Sequence, residues 1–347
     1  MEKVIQQLLE KQDLNQSQVL EAVEFLTSES ADQGVKKSLL LALNDKGETV
    51  EELAWFAQGF LEKAIRPNFD ASAYDAPIID VCGTGGDHLN LFNVSTTSMF
   101  VLAEAGAVVV KHGNKGVTSK SGSSDVLQAL GIRADLPPEQ FGDVIVEAGV
   151  GFLWAPIYHP AFKHVSPVRQ EIAQEKKKTL FNLMGPLLNP VRPSHQLIGV
   201  YAEALVDKFA MILNQLGREK AWVVHGMVED GRVVDEMSLS GRSVIAEVSE
   251  GKVSPNFSIL PEFVGLTEVA PEVLAGGDAV ENAETLKAIL KGDLAGAHAD
   301  MVALNAGASM VAAGLTENLL TGVETAQEIL RSGAAYQRLE KLQAACK

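Results

Sequence analysis

Cysteine is nearly missing from this chain of 347 residues. Cys82 and Cys346 stand far apart, so they offer neither a disulfide framework nor a metal-ligand spacing, and a reducing compartment is expected. Positive charge is also short: 29 Lys and Arg face 45 Asp and Glu, a formal net charge of −16. Nucleic acid and anionic membrane surfaces reward the cations this chain lacks, so neither is expected as a partner, and any anionic ligand must be met locally. No stretch approaches about 18 uncharged apolar residues. The opening MEKVIQQLLEKQDLNQ carries charges throughout, unlike a basic segment followed by an apolar one, and a cytoplasmic protein is the expectation. Internal repeats and low-complexity tracts are missing as well.

What remains is an ordinary globular composition, 46% apolar and 21% charged, with enough length for about two domains and a buried cleft. The first seventy residues read as helices. Asn15 with Gln18 and Thr49 with Glu52 have capping-box spacing, and Leu53, Phe56, Ala57, Phe60, Leu61 and Ala64 recur at helical intervals. In NDKGET, Gly47 is placed to end one helix before Thr49 starts the next. RPNFDASAYDAP, residues 66–77, reads as a linker.

From Ile78 the pattern changes to short apolar runs alternating with helical stretches: PIIDVC, AVVVKHG, VGFLWAP, HQLIGVY and AWVVHG. Buried strands separated by helices predict a largely parallel sheet, with ligands bound at the carboxyl ends of its strands. Residues 160–190 contain no clear strand and are expected to return to the helical unit. The stretch after Glu236 alternates like antiparallel edge strands, and the tail from Asp278 is helical.

DVCGTGGDHLNLFNVSTTSMF, residues 80–100, joins a strand to a helix through a glycine turn, with Ser95, Thr96 and Thr97 near the helix start. Free N–H groups and the positive end of a helix dipole there suit an oxyanion such as phosphate; the other reading is a tight turn with hydroxyl caps. GTGGD matches neither the nucleotide P-loop nor the dinucleotide fingerprint, which argues against ATP or NAD. A second polar loop, KHGNKGVTSKSGSSDVLQALGI, follows the next strand and brings Lys111, Lys115 and Lys120 together with His112 and Asn114. In so acidic a chain, that local basic concentration is the candidate for neutralising a multiply charged substrate. Two such loops suggest two phosphate groups, and a pyrophosphate normally arrives with divalent cations. Asp235 and Glu236 in VVDEMSLSG are the candidate carboxylates, with Asp87 at the end of the first loop.

Taken in order, DKGET, GTGGD, FNVST, KHGN, SKSGSSDVL, HPAFKHVSPVR, FNLMGPLLNP, QLIGVY, DEMSLSG and GGDAVENA cover nearly the whole chain. In these motifs the sequence resembles the anthranilate phosphoribosyltransferases of the tryptophan pathway. The resemblance implies an α/β fold in which a small all-helical domain joins a larger α/β domain with a mainly parallel central sheet and a cleft at the hinge. The boundaries expected are a helical unit of 1–72, joined by about 163–188, and an α/β unit of 73–162 and 189–347. It also implies a homodimer, magnesium as cofactor, and transfer of the phosphoribosyl group of phosphoribosyl pyrophosphate to the amine of anthranilate, without a covalent nucleophile.

Carried over by position, Gly83, Gly86, Asp87, Asn93, Val94, Ser95, Thr96, Lys111, His112, Gly113, Asn114, Lys115, Ser119 and Ser123 would hold the donor. Gly83, Asn114, His159 and Arg169 would meet the aromatic acid, and Ser95, Asp235 and Glu236 the Mg2+. The chain departs from the family pattern at His88, Leu91, Lys115, Lys178 and Gly241–Ser243, and the lysine run Lys176–Lys178 reads as a solvated helix face. The rival readings are a pyrimidine nucleoside phosphorylase, which has no need of Asp235 and Glu236, and a paralogue with another aromatic acceptor or only a binding role.

Overall fold

The computed structural model describes residues 1–86, 89–116 and 120–347. The expectations placed on Asp87, His88 and Ser119 lie outside the described residues.

Four helices open the chain: α1 (Glu2–Leu9), α2 (Gln16–Thr27), α3 (Gln33–Lys46) and α4 (Val50–Glu62). Both expected capping boxes form, Asn15 with Gln18 ahead of α2 and Thr49 with Glu52 ahead of α4. Gly47, at φ +85°, ends α3. The buried Glu52 carboxylate also accepts from the Leu14 N–H at 2.8 Å and from Lys46 Nζ at 2.7 Å. One side chain thus fixes the starts of two helices and the end of a third.

The five apolar runs form the strands β1 (Ile78–Gly83), β2 (Val108–Gly113), β3 (Val150–Trp154), β4 (His195–Gly199) and β5 (Lys220–Met227). They are parallel, in the spatial order β3-β2-β1-β4-β5. Helix α5 (Val94–Glu104) connects β1 to β2, and α6 (Ser123–Ala129) and α7 (Phe141–Ala148) connect β2 to β3. Between β3 and β4 lie α8 (Ala155–Tyr158), α9 (Ser166–Gln174) and α10 (Phe181–Met184), and α11 (Leu205–Gln215) leads from β4 to β5. The stretch after β5 is antiparallel as expected: β6 (Val233–Val234) pairs with β5, while β7 (Ser243–Ser249) pairs with β5, β8 (Lys252–Val253) and β9 (Phe257–Ile259). Among the described residues these nine strands make one sheet. The tail folds as α12 (Ala279–Lys291), α13 (Ala297–Ala312), α14 (Leu319–Ser332) and α15 (Ala334–Ala345).

Side chains alternate across the strands, so the two faces of the sheet feed different cores. Val81, Val109 and Leu197 pack with Phe100 of α5 and with Met301 and Leu304 of α13. Ile198 and Val223 point the other way and share a core with Phe209 of α11 and with Phe56 and Phe60 of α4. Each such buried side chain contributes about 1.5–3 kcal/mol relative to exposure. The helical domain is therefore packed against one face of the sheet.

Residues 160–190 contain no strand and lie against the helical domain. Phe60 meets Phe162 edge-on at 5.0 Å and Phe181 at 5.4 Å. Lys37 of α3 reaches Glu171 and Glu175 of α9, each at 2.6 Å. Lys36 is fully buried and donates to the Ser28 and His164 carbonyls; burial pulls its pKa down. Among the described residues no helix is long and apolar enough to cross a membrane.

Candidate active site

The chain leaves β1 towards β2 on one side and β4 towards β5 on the other, which opens a crevice beyond the carboxyl ends of these two neighbouring strands. Gly83 and Gly199 pair in register where β1 and β4 end. Only glycine fits at either position, because Asp235 comes down onto both strand ends. A Cβ on Gly199 would stand 1.6 Å from the Asp235 carbonyl oxygen, and one on Gly83 would stand 2.0 Å from Asp235 Oδ2. The Gly85 N–H donates to that same Oδ2 at 2.6 Å. The Thr84 N–H donates to the Gly199 carbonyl at 2.9 Å, and the Thr84 hydroxyl accepts from the Tyr201 N–H at 3.2 Å. The first glycine loop is thereby tied to β4 and to the expected acidic pair, in which Asp235 and Glu236 are both half-buried.

Asn93 closes that loop and joins it to its neighbours. Its Nδ2 donates to the Ser121 carbonyl at 3.2 Å, and its Oδ1 accepts from Asn282 Nδ2 of α12 at 2.9 Å. It makes no side-chain cap on α5, so the first N–H groups of that helix lack a side-chain acceptor, the arrangement that favours an anion. Of the hydroxyls placed here by the sequence, Thr97 donates to the Asn93 carbonyl at 2.9 Å. Val94 and Thr96 are buried, the Thr96 hydroxyl without a partner. Ser95 is half-buried and accepts from Lys111 Nζ at 3.1 Å.

Lys111 is not the loop cation its sequence neighbourhood suggests. It lies within β2, 1% exposed, and Nζ donates to the Val81 carbonyl at 2.5 Å. Its ammonium faces the fully buried Asp80, whose carboxyl is pushed up by burial with the Lys111 charge opposing. Asp80 Oδ1 accepts from the His112 N–H at 3.1 Å, so this buried carboxyl and the Lys111 bond to Val81 together fix the end of β2 beneath Ser95.

Gly113 pairs with Trp154 where β2 ends, and the second loop follows. Asp125 Oδ2 accepts from the Gly116 and Gly122 N–H groups, each at 2.9 Å, closing that loop ahead of α6, which Ser123 begins. Asn114 Oδ1 accepts from the Lys115 N–H, and Lys115 Nζ stands 5.8 Å from the Trp154 ring centroid. Leu91, one of the family departures, bridges to Ala275 in the main chain.

His112 and His159 are both buried, with rings 5.4 Å apart. Their observed bonds go to main-chain carbonyls, His112 Nδ1 to Gly185 and His159 Nε2 to Leu188. Burial lowers His112 to about 3, the neighbouring His159 adding to it, and lowers His159 to about 4. Below the ordinary imidazole value of 6.5 the unfolded chain therefore takes up protons that the folded chain refuses, so stability falls as pH drops from 6.5 towards 4. His159→Asn is expected to flatten that fall: between pH 7 and 5 the melting temperature should drop less in the variant than in the parent. An equal drop would contradict the assignment of a neutral His159.

An aromatic chain runs outward from these rings. Phe162 stacks on His159 at 5.2 Å, Phe181 lies 5.4 Å from Phe162, and the Arg169 guanidinium sits 4.6 Å over Phe181. Arg169 is half-buried on α9, and burial lowers its pKa. Among the described residues it makes no ion pair and no side-chain hydrogen bond, although a desolvated guanidinium gains most from a carboxylate. Asp125, Asn282 and Tyr201 were not anticipated as site residues. Only Asp125 carries a local signal, its position three residues after Gly122.

A helical bundle docked on a parallel sheet, with two loops at its switch point, matches one class of protein. Residues 2–64 match the helical bundle domain of the glycosyl transferase family, and residues 75–336 match its α/β domain. The anthranilate phosphoribosyltransferase of Symbiobacterium thermophilum is 42% identical over 99% of this chain and 96% of its own length. A solved anthranilate phosphoribosyltransferase from Thermus thermophilus superposes with a TM-score of 0.90 at 38% identity, covering 99% of both chains. The enzyme from Saccharomyces cerevisiae, solved with phosphoribosyl pyrophosphate and Mg, gives 0.83 at 26% identity over 95% of this chain and 92% of its own. The chain belongs to the anthranilate phosphoribosyltransferase family.

A magnesium ion fits the residues present. Asp235, Glu236 and Ser95 supply oxygen donors only, the set a hard cation prefers, and the glycine cradle leaves room for the carboxylate that a Cβ would displace. Among the described residues no three His, Cys, Asp or Glu side chains cluster as a cage. Magnesium does not require one, since it is usually held by one or two carboxylates together with substrate phosphates.

Proposed function

We propose that this chain transfers the phosphoribosyl group of phosphoribosyl pyrophosphate to the amine of anthranilate, giving N-(5-phosphoribosyl)anthranilate and pyrophosphate in L-tryptophan biosynthesis. The observation that carries this reading is Asp235 seated between Gly83, Gly85 and Gly199. A carboxylate lodged against a glycine loop at a switch point serves a ligand that brings phosphate and a divalent cation together.

In this reading the two loops hold the donor, and Ser95, Asp235 and Glu236 hold Mg2+. When bound, the ion neutralises charge building on the departing pyrophosphate. The bond from C1 to the pyrophosphate oxygen breaks with its electron pair on pyrophosphate. The anthranilate nitrogen supplies the pair for the new bond and then loses a proton. The first-turn N–H groups of α5 and the loop amides meet charge on the leaving side, fixed in place before reaction. Arg169 takes the acceptor carboxylate, with Gly83, Asn114 and His159 on the same side, so that the amine faces C1.

The helical unit comprises 1–72 and about 163–188, the α/β unit 73–162 and 189–347, and the site lies in the cleft between them. The chain works in the cytoplasm as a homodimer joined through the helical unit, where Leu9 and Leu20 are exposed.

The test is loss of anthranilate fluorescence on adding phosphoribosyl pyrophosphate and Mg2+, with no loss when either is omitted. Fluorescence that stays constant with all three present would refute the reading. A narrower outcome concerns Gly199→Ala: its Cβ would overlap the Asp235 carbonyl, so activity should fall by about 10²-fold or more with the fold retained. Activity close to that of the parent would show that Asp235 need not sit where it does.

A further inference from the structure

The lysine run Lys176–Lys178 reads from sequence as a solvated helix face, but α9 ends at Gln174 and the run lies in the turn beyond it, with Lys178 exposed. Its Nζ nevertheless stands 4.0 Å from the centroid of the Tyr201 ring. That ring lies 3.8 Å from the position a Cβ on Gly86 would take, and the Tyr201 N–H holds the Thr84 hydroxyl. A cation from the segment packed on the helical domain therefore reaches across to the first glycine loop, one aromatic ring away.

The turn that presents Lys178 is fixed on both sides. Lys176 takes φ +56°, a left-handed conformation that costs a side-chain residue more than glycine. Its N–H bonds the Ala173 carbonyl and that of Lys177 the Ile172 carbonyl, while Glu175 is gripped by Lys37 and Lys177. On the far side Asn182 Oδ1 accepts the Thr179 N–H. Lys177 thus has a carboxylate partner, whereas among the described residues Lys178 has only the ring. An aromatic face holds an ammonium without neutralising it, so the charge stays effective towards an anion within a Debye length, about 10 Å at 0.1 M salt.

We infer that Lys178, held on Tyr201, is a positioning charge for the pyrophosphate end of the donor: it raises donor affinity across the cleft and takes no part in the bond changes. This rests on the phosphoribosyl-transfer reading of the first loop.

Calorimetric titration with inorganic pyrophosphate and Mg2+, then with phosphoribosyl pyrophosphate and Mg2+, tests it at low ionic strength. Lys178→Gln should weaken both by about fivefold, the loss shrinking as salt is raised, with an unchanged melting temperature. Lys178→Arg should bind like the parent, because a guanidinium also stacks on the ring. In steady-state assays Lys178→Gln should raise the donor KM and leave kcat and the anthranilate KM in place. Unchanged pyrophosphate affinity in Lys178→Gln, beside a parent that binds, would overturn this inference alone. A parent that binds neither ligand would overturn the reading of the loop and this inference with it.

Discussion

Replacing Asp235 with Asn and Glu236 with Gln should leave a folded protein whose turnover has dropped by about 10³-fold or more. Both changes conserve volume, so the closeness of Asp235 to Gly83 and Gly199 is preserved and the melting temperature should move little. What is lost is charge at the point where, in the proposed reaction, the departing pyrophosphate and its cation would gather. The Gly85 N–H that donates to Asp235 Oδ2 would also meet an amide that can turn its own donors towards it, loosening the first loop. The double variant should therefore lose its response to added Mg2+ along with its rate. Turnover near the parent's, measured with saturating donor and acceptor, would remove the acidic pair from the mechanism.

Arg169→Gln should raise the anthranilate KM by about 10²-fold while the donor KM stays near that of the parent. Arg169 is half-buried on Phe181 and among the described residues makes no ion pair, so in the proposed reaction the ligand carboxylate would be the partner that compensates its desolvation. Removing an uncompensated cation should not destabilise the free protein, and its melting temperature should hold or rise. Arg169→Lys is expected to recover little, since an ammonium lacks the planar fork that both stacks on the ring and grips a carboxylate. An anthranilate KM unchanged in Arg169→Gln would sink the acceptor assignment and leave the donor assignment standing.

The parts of the fold that were legible are those governed by near neighbours. The capping boxes at Asn15 and Thr49, the helix stop at Gly47 and the five apolar strands follow from patterns a few residues long, and each appears where expected. The strand–turn–helix order around the glycine loops was legible because these elements follow one another directly. The bond from Gly85 to Asp235 spans 150 residues, and no local pattern announces that Gly199 must be bare so that Asp235 can come down.

Lys111 shows the converse failure. Read beside Lys115 and Lys120 it joins a basic loop, yet it is still within β2, and the pleat turns it into the sheet towards Asp80 and Ser95. His112 and His159 read from sequence equally as polar contacts for a ligand or as structural side chains, and their observed bonds go to the main chain of residues 185 and 188. The partnership of Tyr201 with Lys178 carried no signal because it exists only once the segment that follows α9 is brought beside the chain leaving β4.

The most direct measurement of the central claim is the product balance of a single reaction. With phosphoribosyl pyrophosphate, anthranilate and Mg2+, mass detection should find N-(5-phosphoribosyl)anthranilate and pyrophosphate formed in equal amounts, and neither without anthranilate. Pyrophosphate released without matching loss of anthranilate, or no product at all with both substrates saturating, would contradict it.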